Sequence, residues 1–303
     1  MTYSPEAFRA SLSGISGILV TPFGPDGQLA PARLAPVVER AVAAGVHILT
    51  ANGNTGEFYG LTTDEAVRAV QFMAEQINGR APLLAGIGRS INDALTLTKA
   101  SRAAGAAGLM VHQPPDPFVS PRGVVEYVKR VAEAGQGLPV VIYLRNDNIG
   151  FDAIEALCAI PEVVGVKWAT PAPLKLAEAM RRADPSIVWV GGLAEIWAPA
   201  FYAVGARGFT SGLINVWPEQ SMAIHAALEA GDYAAARARI AIMESFESLR
   251  AEEGNGTNVS VVKAALALLG DECGAVRPPG AWPLTPRQQA ELAASLRAWG
   301  LTK

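Results

Sequence analysis

The amino-acid sequence predicts a closed (β/α)₈ barrel, or TIM barrel, with a C-terminal extension of three helices. Eight short β-prone runs alternate with longer segments whose apolar residues recur at helical spacing. Most of these runs are apolar throughout, as parallel strands are when helices cover both faces of a sheet. Because eight strand–helix units close such a barrel, we predict residues 1–230 as the barrel and residues 231–303 as a helical extension packed on it.

The individual elements follow from β-rich runs, helical periodicity and turn residues at the boundaries. An open doubly wound sheet is the alternative, but no G-x-G-x-x-G follows the first strand, which weakens a dinucleotide-binding version of it. The predicted strands span 17–23, 47–53, 82–88, 108–113, 139–145, 163–169, 187–192 and 206–212. Predicted helices include 32–45, 63–77, 92–105 and 121–135, and the extension has helical patterns over 231–250, 258–270 and 285–300.

Composition excludes several classes of partner. Half of the 303 residues are hydrophobic and the formal net charge is −3, so a sizeable core is expected and no basic stripe is available for nucleic acid. No apolar run reaches membrane-spanning length and the N-terminus lacks a signal-peptide pattern, so we expect a cytoplasmic protein without a membrane partner. Cys158 and Cys273 are far apart in the sequence and are predicted as buried thiols.

Lys167 lies in the middle of the apolar run Val163 to Ala169, where an ammonium group loses its hydration. Burial lowers the pKa of a lysine and supplies the neutral amine that attacks a carbonyl carbon. The alternatives are a lysine that extends to solvent, or one that is paired with Glu57 or Glu195. The other five lysines have polar, helical or terminal neighbours that allow the charge to remain in water: Lys99, Lys129, Lys175, Lys263 and Lys303.

Polar residues follow the ends of several predicted strands, where the chemistry of a (β/α)₈ barrel takes place. The stretch N-G-N-T-G-E after strand two is a Gly-rich turn whose free N–H groups can bind an anion such as a carboxylate, or simply cap a helix. Tyr143, at the end of strand five, can transfer a proton to and from an imine, or pack in the core. The mouth also receives Gly53, Asn54, Thr55, Gly56, Arg145, Gly192 and Ser211.

The sequence gives little indication of a metal or cofactor. His47, His112 and His225 lack the H-x-x-x-H spacing of a zinc site, and carboxylates are sparse at the strand ends. A phosphate-binding G-x-x-x-x-G-K motif is missing as well. We therefore expect catalysis without a metal or cofactor.

These residues carry a resemblance that extends over nearly the whole chain. In their order and their placement on the strands, they resemble the dihydrodipicolinate synthase and N-acetylneuraminate lyase family. The motifs are Thr21-Pro22-Phe23, Gly53-x-Thr55-Gly56-Glu57, Leu61-Thr62-x-x-Glu65, Tyr143, Gly165-Val166-Lys167, Gly205-Ala206-x-Gly208-x-x-Ser211, Val262-Lys263-Ala264-Ala265, Leu268-Leu269-Gly270 and Arg277-Pro278-Pro279.

The resemblance implies a class I lyase on a (β/α)₈ barrel, assembled as a homotetramer from dimers. It implies that Lys167 forms an imine with a 2-keto acid, that Tyr143 moves protons with Thr55, and that the Asn54-Thr55 turn binds the substrate carboxylate. The imine acts as an electron sink, so aldol cleavage or loss of a β-hydroxyl becomes accessible without a cofactor.

Departures from the synthase branch indicate which reaction to expect. Asn54 replaces the first of two threonines, L-R-N-D-N-I-G follows Tyr143 where the synthase has a Pro and an Arg, and His112-Gln113 replaces a tyrosine pair. The Tyr-x-Arg pattern resembles the branch that dehydrates 5-dehydro-4-deoxyglucarate and related 2-keto-3-deoxy sugar acids. Arg145 then binds a distal carboxylate or hydroxyl, or forms a rim salt bridge.

Ser211 and Asn215, in the region of strand eight, are candidates for hydrogen bonds to sugar hydroxyls, although Ser and Asn also form turns. A pyruvate-dependent aldolase, of the N-acetylneuraminate lyase or 2-keto-3-deoxygluconate aldolase type, and dihydrodipicolinate synthase are the catalytic alternatives. A metal-dependent aldolase is another rival, which a chelator would inhibit. A non-catalytic sugar-acid-binding barrel is the alternative from a different class, suggested by the hydroxyl missing at Asn54.

Overall fold

Eight parallel strands close into a single barrel in a computed structural model that describes residues 3–303. Consecutive strands are neighbours in the sheet, and the first pairs with the last to complete the ring. This arrangement confirms the predicted fold class. The strands are β1 Ile15–Ile18, β2 Ile48–Ala51, β3 Leu83–Ile87, β4 Gly108–His112, β5 Val140–Leu144, β6 Val163–Trp168, β7 Val188–Gly191 and β8 Phe209–Ser211.

Helices surround the barrel, and the three predicted helices of the extension are present. No helix within residues 3–303 is long and apolar enough to cross a membrane. The helices up to the end of the barrel are α1 Pro5–Leu12, α2 Ala35–Ala43, α3 Thr63–Ile77, α4 Ile91–Ala103, α5 Pro121–Gly135, α6 Phe151–Cys158, α7 Pro173–Arg182, α8 Ala194–Ala203 and α9 Pro218–Glu229. The extension consists of α10 Tyr233–Asn255, α11 Asn258–Leu268 and α12 Pro286–Ala298.

The first strand is shifted from its predicted position at 17–23. The segment after Ile18 stays buried but leaves the ladder, because the N–H of Val20 bonds to the side-chain carbonyl of Asn215 and the N–H of Phe23 bonds to the carbonyl of Cys273. The apolar residues after Ile18 are therefore apolar because other parts of the chain cover them, and not because they pair in the sheet.

The amino-terminal end of the barrel is filled by α1, which the sequence analysis did not predict. Phe8 and Leu12 are buried in the cluster that fills the barrel interior. Gly108 and Gly165 leave space for them, since a Cβ atom at Gly108 would overlap the Phe8 ring and one at Gly165 would overlap the Leu12 side chain. With this end filled, the carboxyl end of the strands carries the open cavity.

Both cysteines are free and buried, as the sequence analysis predicted. Burial raises the pKa of the Cys158 thiol to about 12 and that of Cys273 to about 11. Neither thiol is therefore ionised near neutral pH.

Candidate active site

The strand register places Lys167 and Tyr143 side by side at the carboxyl end of the barrel. Tyr143 on β5 is the register partner of Lys167 on β6, and His112 on β4 is the partner of Tyr143. The Lys167 Nζ atom lies 3.9 Å from the centre of the Tyr143 ring. Both residues line a cavity of about 350 Å³.

Lys167 is 4 % exposed and takes part in none of the ion pairs found within residues 3–303. Burial, with a smaller contribution from the positive charge of Arg145, lowers its pKa from 10.5 to about 7. The two carboxylates considered as partners are engaged elsewhere: Glu57 with Lys263 at 2.6 Å, and Glu195 with the hydroxyl of Ser221 at 2.6 Å. A substantial fraction of Lys167 is therefore the neutral amine at neutral pH.

Gly192 provides the space for this lysine. A Cβ atom at this position would lie 2.8 Å from the carbonyl oxygen of Trp168 and 3.0 Å from Cγ of Lys167. Its backbone N–H donates to the same Trp168 carbonyl at 2.7 Å. Gly192 lines the cavity, as predicted. Because it has no side chain, its main effect is to leave room for the side chain of Lys167.

Tyr143 carries a protonated phenol across the physiological pH range. Burial raises its pKa to about 12. The side-chain amide of Asn54 donates to the phenol oxygen at 3.0 Å, and this is the only side-chain hydrogen bond of Tyr143 within the described part of the chain. At the position where the synthase branch has a hydroxyl, the Asn54 amide therefore contacts the phenol, and the catalytic role of Thr55 stays a prediction.

The turn after β2 is tightly folded and presents two backbone donors. The N–H of Gly56 donates to the carbonyl of Gly53 at 3.0 Å, so this donor is used inside the turn. Among residues 3–303, neither the backbone N–H of Asn54 nor that of Thr55 has a hydrogen-bond acceptor. Asn54 and Thr55 line the cavity, whereas Gly53 and Gly56 shape the turn.

Gly53 and Gly56 are required by close packing. A Cβ atom at Gly53 would overlap the Ile18 side chain, and one at Gly56 would lie 3.0 Å from the Leu19 carbonyl. The turn ends at Glu57, which has the left-handed φ of 57° that a non-glycine residue rarely adopts. Packing against β1 thus fixes the position of the Asn54 and Thr55 donors.

Arg145 lines the cavity from the end of β5 and forms no ion pair with the residues that the structure describes. Gln113 fixes this strand end, since its side-chain oxygen accepts the backbone N–H groups of Arg145 and Asn146 at 3.0 and 2.9 Å. The guanidinium carbon lies 5.2 Å from the centre of the Tyr59 ring. The alternative of a rim salt bridge is therefore not found among residues 3–303, where the guanidinium has no carboxylate partner.

Ser211 and Asn215 do not line the cavity, which corrects their predicted role in binding sugar hydroxyls. Both are fully buried. The Ser211 hydroxyl bonds to that of Ser221 at 3.1 Å, and the Asn215 amide donates to the carbonyls of Ile18 and Gly212. These contacts tie β8 to β1 and leave no side-chain group for a ligand.

Lys263 corrects a second expectation, since its ammonium group is not in water. Its side chain is fully buried and forms the ion pair with Glu57. Its apolar neighbours on α11 gave no indication that it faces inward, because a helix with one lysine normally turns it to solvent.

The extension supplies a part of the cavity wall that the sequence patterns did not indicate. Four polar residues from α10 and α11 line the cavity. Their spacing along the helices is the same as that of polar residues that face solvent, so the sequence did not distinguish them. They are Glu247, Arg250, Asn255 and Asn258.

A closed (β/α)₈ barrel with a buried lysine and phenol at its carboxyl mouth has the features of a lyase that works through an imine. The family model described as "Dihydrodipicolinate synthetase family" matches residues 11–299, and the chain belongs to this family. This confirms the resemblance inferred from the sequence motifs and makes the chain a lyase.

Individual relatives match over almost their whole length. A probable 5-dehydro-4-deoxyglucarate dehydratase of Rhizobium rhizogenes is 31% identical over 293 residues, which cover 95% of this chain and 96% of that protein. A 4-hydroxy-tetrahydrodipicolinate synthase of Sorangium cellulosum is 34% identical over 287 residues, 92% of each chain. The crystal structure of dihydrodipicolinate synthase from Oceanobacillus iheyensis superposes with a TM-score of 0.92 and 37% identity, covering 97% of this chain and 98% of that one.

Proposed function

We propose that the chain forms an imine with a 2-keto-3-deoxy sugar diacid, of the 5-dehydro-4-deoxyglucarate kind, and removes water from it. The observation that carries this proposal is the buried Lys167 amine, which has no ion-pair partner among residues 3–303 and lies beside the Tyr143 ring at the mouth of the barrel. Similarity to named dehydratases, such as that of Rhizobium rhizogenes, supports the choice of substrate class.

Lys167 attacks the carbonyl carbon C2, and loss of water gives the imine. Removal of a C3 proton then gives an enamine, whose electron pair expels the C4 hydroxyl as water once that oxygen receives a proton. Hydrolysis of the conjugated imine releases the dehydrated keto acid and restores the amine, so that the net change is the loss of one water.

Tyr143 is the proposed proton carrier. Because Asn54 donates to the phenol oxygen, the phenol's own proton is free to point at the reacting atoms. Its high pKa keeps that proton available at neutral pH. The backbone N–H groups of Asn54 and Thr55 bind the carboxylate next to the keto group, and Arg145 binds the distal carboxylate.

Borohydride reduction tests the imine directly. The protein is reduced with pyruvate and with a panel of 2-keto-3-deoxy sugar acids, weighed intact and mapped by peptide mass. We expect the adduct on Lys167, with Lys263 as the internal control, because Lys263 is also buried but is paired with Glu57 outside the cavity. No adduct with any keto acid, in folded protein, would contradict the proposal; an aldol product would indicate the aldolase or synthase alternative.

Replacing Tyr143 by phenylalanine should preserve the pyruvate adduct and lower turnover by about 10²–10⁴-fold, the usual contribution of a positioned acid or base. Steady-state turnover and borohydride trapping measure the two effects separately. Tyr127→Phe is the matched control, since that half-buried phenol donates to the Arg89 carbonyl at 3.1 Å and does not line the cavity. Equal losses in the two variants would argue against a proton carrier at Tyr143.

The rate of imine formation should follow the ionisation of Lys167. Only the neutral amine attacks, so the trapping rate with pyruvate should rise as pH increases through about 7 and fall about tenfold per unit well below it. Arg145→Gln removes a positive charge that lowers this pKa, so its profile should move to higher pH. A profile centred near 10.5 in the unmodified protein would show that the amine is not perturbed.

We also propose that the protein is a cytoplasmic homotetramer of two dimers that needs no metal or cofactor. Phe118, 93 % exposed in the loop after β4, supports an interface on that face. Light scattering at micromolar concentration tests the assembly, and a single-chain mass would contradict it. Activity that survives EDTA would support independence from a metal.

A further inference from the structure

The extension supplies a polar group to the cavity that the imine chemistry does not use. Glu247 and Arg250, one turn apart on α10, have side chains that are 8 % and 7 % exposed. Together with Asn258 of α11 they line the same cavity as Lys167. Charged side chains so fully removed from water need an explanation, because such burial is costly.

The guanidinium of Arg250 is held in one orientation. It donates to a carboxylate oxygen of Glu247 and, at 2.8 Å, to the side-chain oxygen of Asn258. It lies against Gly212 at the end of β8, where a Cβ atom would be 2.9 Å from the guanidinium carbon. The hydroxyl of Thr257 donates to the Leu249 carbonyl at 2.6 Å and holds the end of the helix that carries Arg250.

Several hydrogen-bonding groups of this cluster remain unused. Within residues 3–303, the second carboxylate oxygen of Glu247 and the side-chain N–H₂ of Asn258 have no hydrogen-bond partner. The free Glu247 oxygen is an acceptor and the free Asn258 amide is a donor, and both belong to side chains that hold the Arg250 guanidinium. A hydroxyl group both donates and accepts, so it matches this combination. The Glu247 charge neutralises Arg250, so the pair is less suited to a carboxylate than the unpaired Arg145.

We propose that Glu247, Arg250 and Asn258 form a subsite that recognises the hydroxyl on the carbon next to the distal carboxylate, the one retained during dehydration. This inference rests on the proposed function and deepens it, because it explains selection of a polyhydroxy diacid over a plain keto diacid. Arg145 takes the distal carboxylate and the subsite takes the hydroxyl beside it.

The test compares two ligands that differ only in their hydroxyls. Both 5-dehydro-4-deoxyglucarate and 2-oxoadipate have six carbons, a keto group and two carboxylates, but 2-oxoadipate has no hydroxyl. We measure KM and kcat for the first and the inhibition constant of the second, in the unmodified protein and in Glu247→Gln. The matched control is Glu244→Gln, the same change at an exposed position on the same helix.

We expect Glu247→Gln to raise KM for the sugar diacid about 10- to 100-fold, the loss of one hydrogen bond to a charged group. The inhibition constant of 2-oxoadipate should change less than about threefold. Asn258→Asp, which keeps the acceptor for Arg250 and removes the free donor, should give the same selectivity change and serves as the second variant if Glu247→Gln does not fold.

Three outcomes would overturn the inference. Unchanged constants for both ligands would show that the group does not touch substrate. Equal weakening for both ligands would indicate a structural role. Tighter binding of both ligands in Glu247→Gln would show that Arg250 binds a carboxylate. Failure of the proposed function is detected by a separate measurement, borohydride trapping in the unmodified protein. If neither acid forms an adduct, the proposed function fails, and the proposed subsite fails with it.

Discussion

Lys167→Ala should be a folded protein that neither forms a borohydride adduct nor turns over substrate. Loss of a covalent nucleophile removes about 10⁵–10⁶-fold of turnover, because the alternative route lacks the electron sink. The fold should survive, since the amine has no ion pair within residues 3–303 and its burial opposes the charged form. Turnover, intact mass after reduction and the thermal unfolding midpoint test the three parts of this prediction.

Lys99→Ala is the control for this variant, because Lys99 is exposed on α4 outside the cavity. It should retain the adduct and full turnover. Full activity in Lys167→Ala would exclude the imine mechanism. An inactive Lys167→Ala that unfolds at a much lower temperature would instead assign the lysine a structural role.

The fold and the central amine were accessible from the sequence because each is a local signal. Periodicity over short windows marked the eight strands, and a charge inside an apolar strand marked Lys167. Strand limits were less accurate, as at β1, because apolar residues after Ile18 are buried by other parts of the chain and bond to Asn215 and Cys273.

The rest of the cavity wall depends on contacts distant in sequence. Arg250 reaches Gly212, and Lys263 reaches Glu57, only because the extension packs on the barrel mouth. Neither helical spacing nor residue type specifies such a partner. Ser211 is an error in the opposite direction. Its position at a strand end suggested a ligand contact, but its hydroxyl bonds to Ser221 inside the protein.

A partly buried ionic network connects the turn of Asn54 to Gly56 with the extension. Lys263 of α11 lies 2.6 Å from one carboxylate oxygen of Glu57, and the other oxygen accepts the backbone N–H of Arg277 at 2.9 Å. Arg277 also holds Glu65, at the start of α3, through two bonds of 2.8 and 2.7 Å. Because Glu57 directly follows the turn of Asn54 to Gly56, this network fixes the position of the proposed carboxylate donors.

We therefore expect Lys263→Met to cost about 3–5 kcal/mol in the free energy of unfolding, the penalty for leaving one partner of a buried ion pair uncompensated. The adduct with pyruvate should also form more slowly, since the Asn54 and Thr55 donors lose their fixed position. Denaturant unfolding measures the first effect and borohydride trapping the second.

The double variant Glu57→Gln/Lys263→Met separates the charge from the packing. With no carboxylate left unpaired, it should be more stable than Lys263→Met alone, because a neutral amide costs less to bury than an isolated charge. If the double variant loses as much free energy of unfolding as Glu57→Gln and Lys263→Met lose together, the two residues act independently. A loss below about 1 kcal/mol in Lys263→Met would mean that water reaches Glu57, so that the extension covers the barrel without fixing the turn of Asn54 to Gly56.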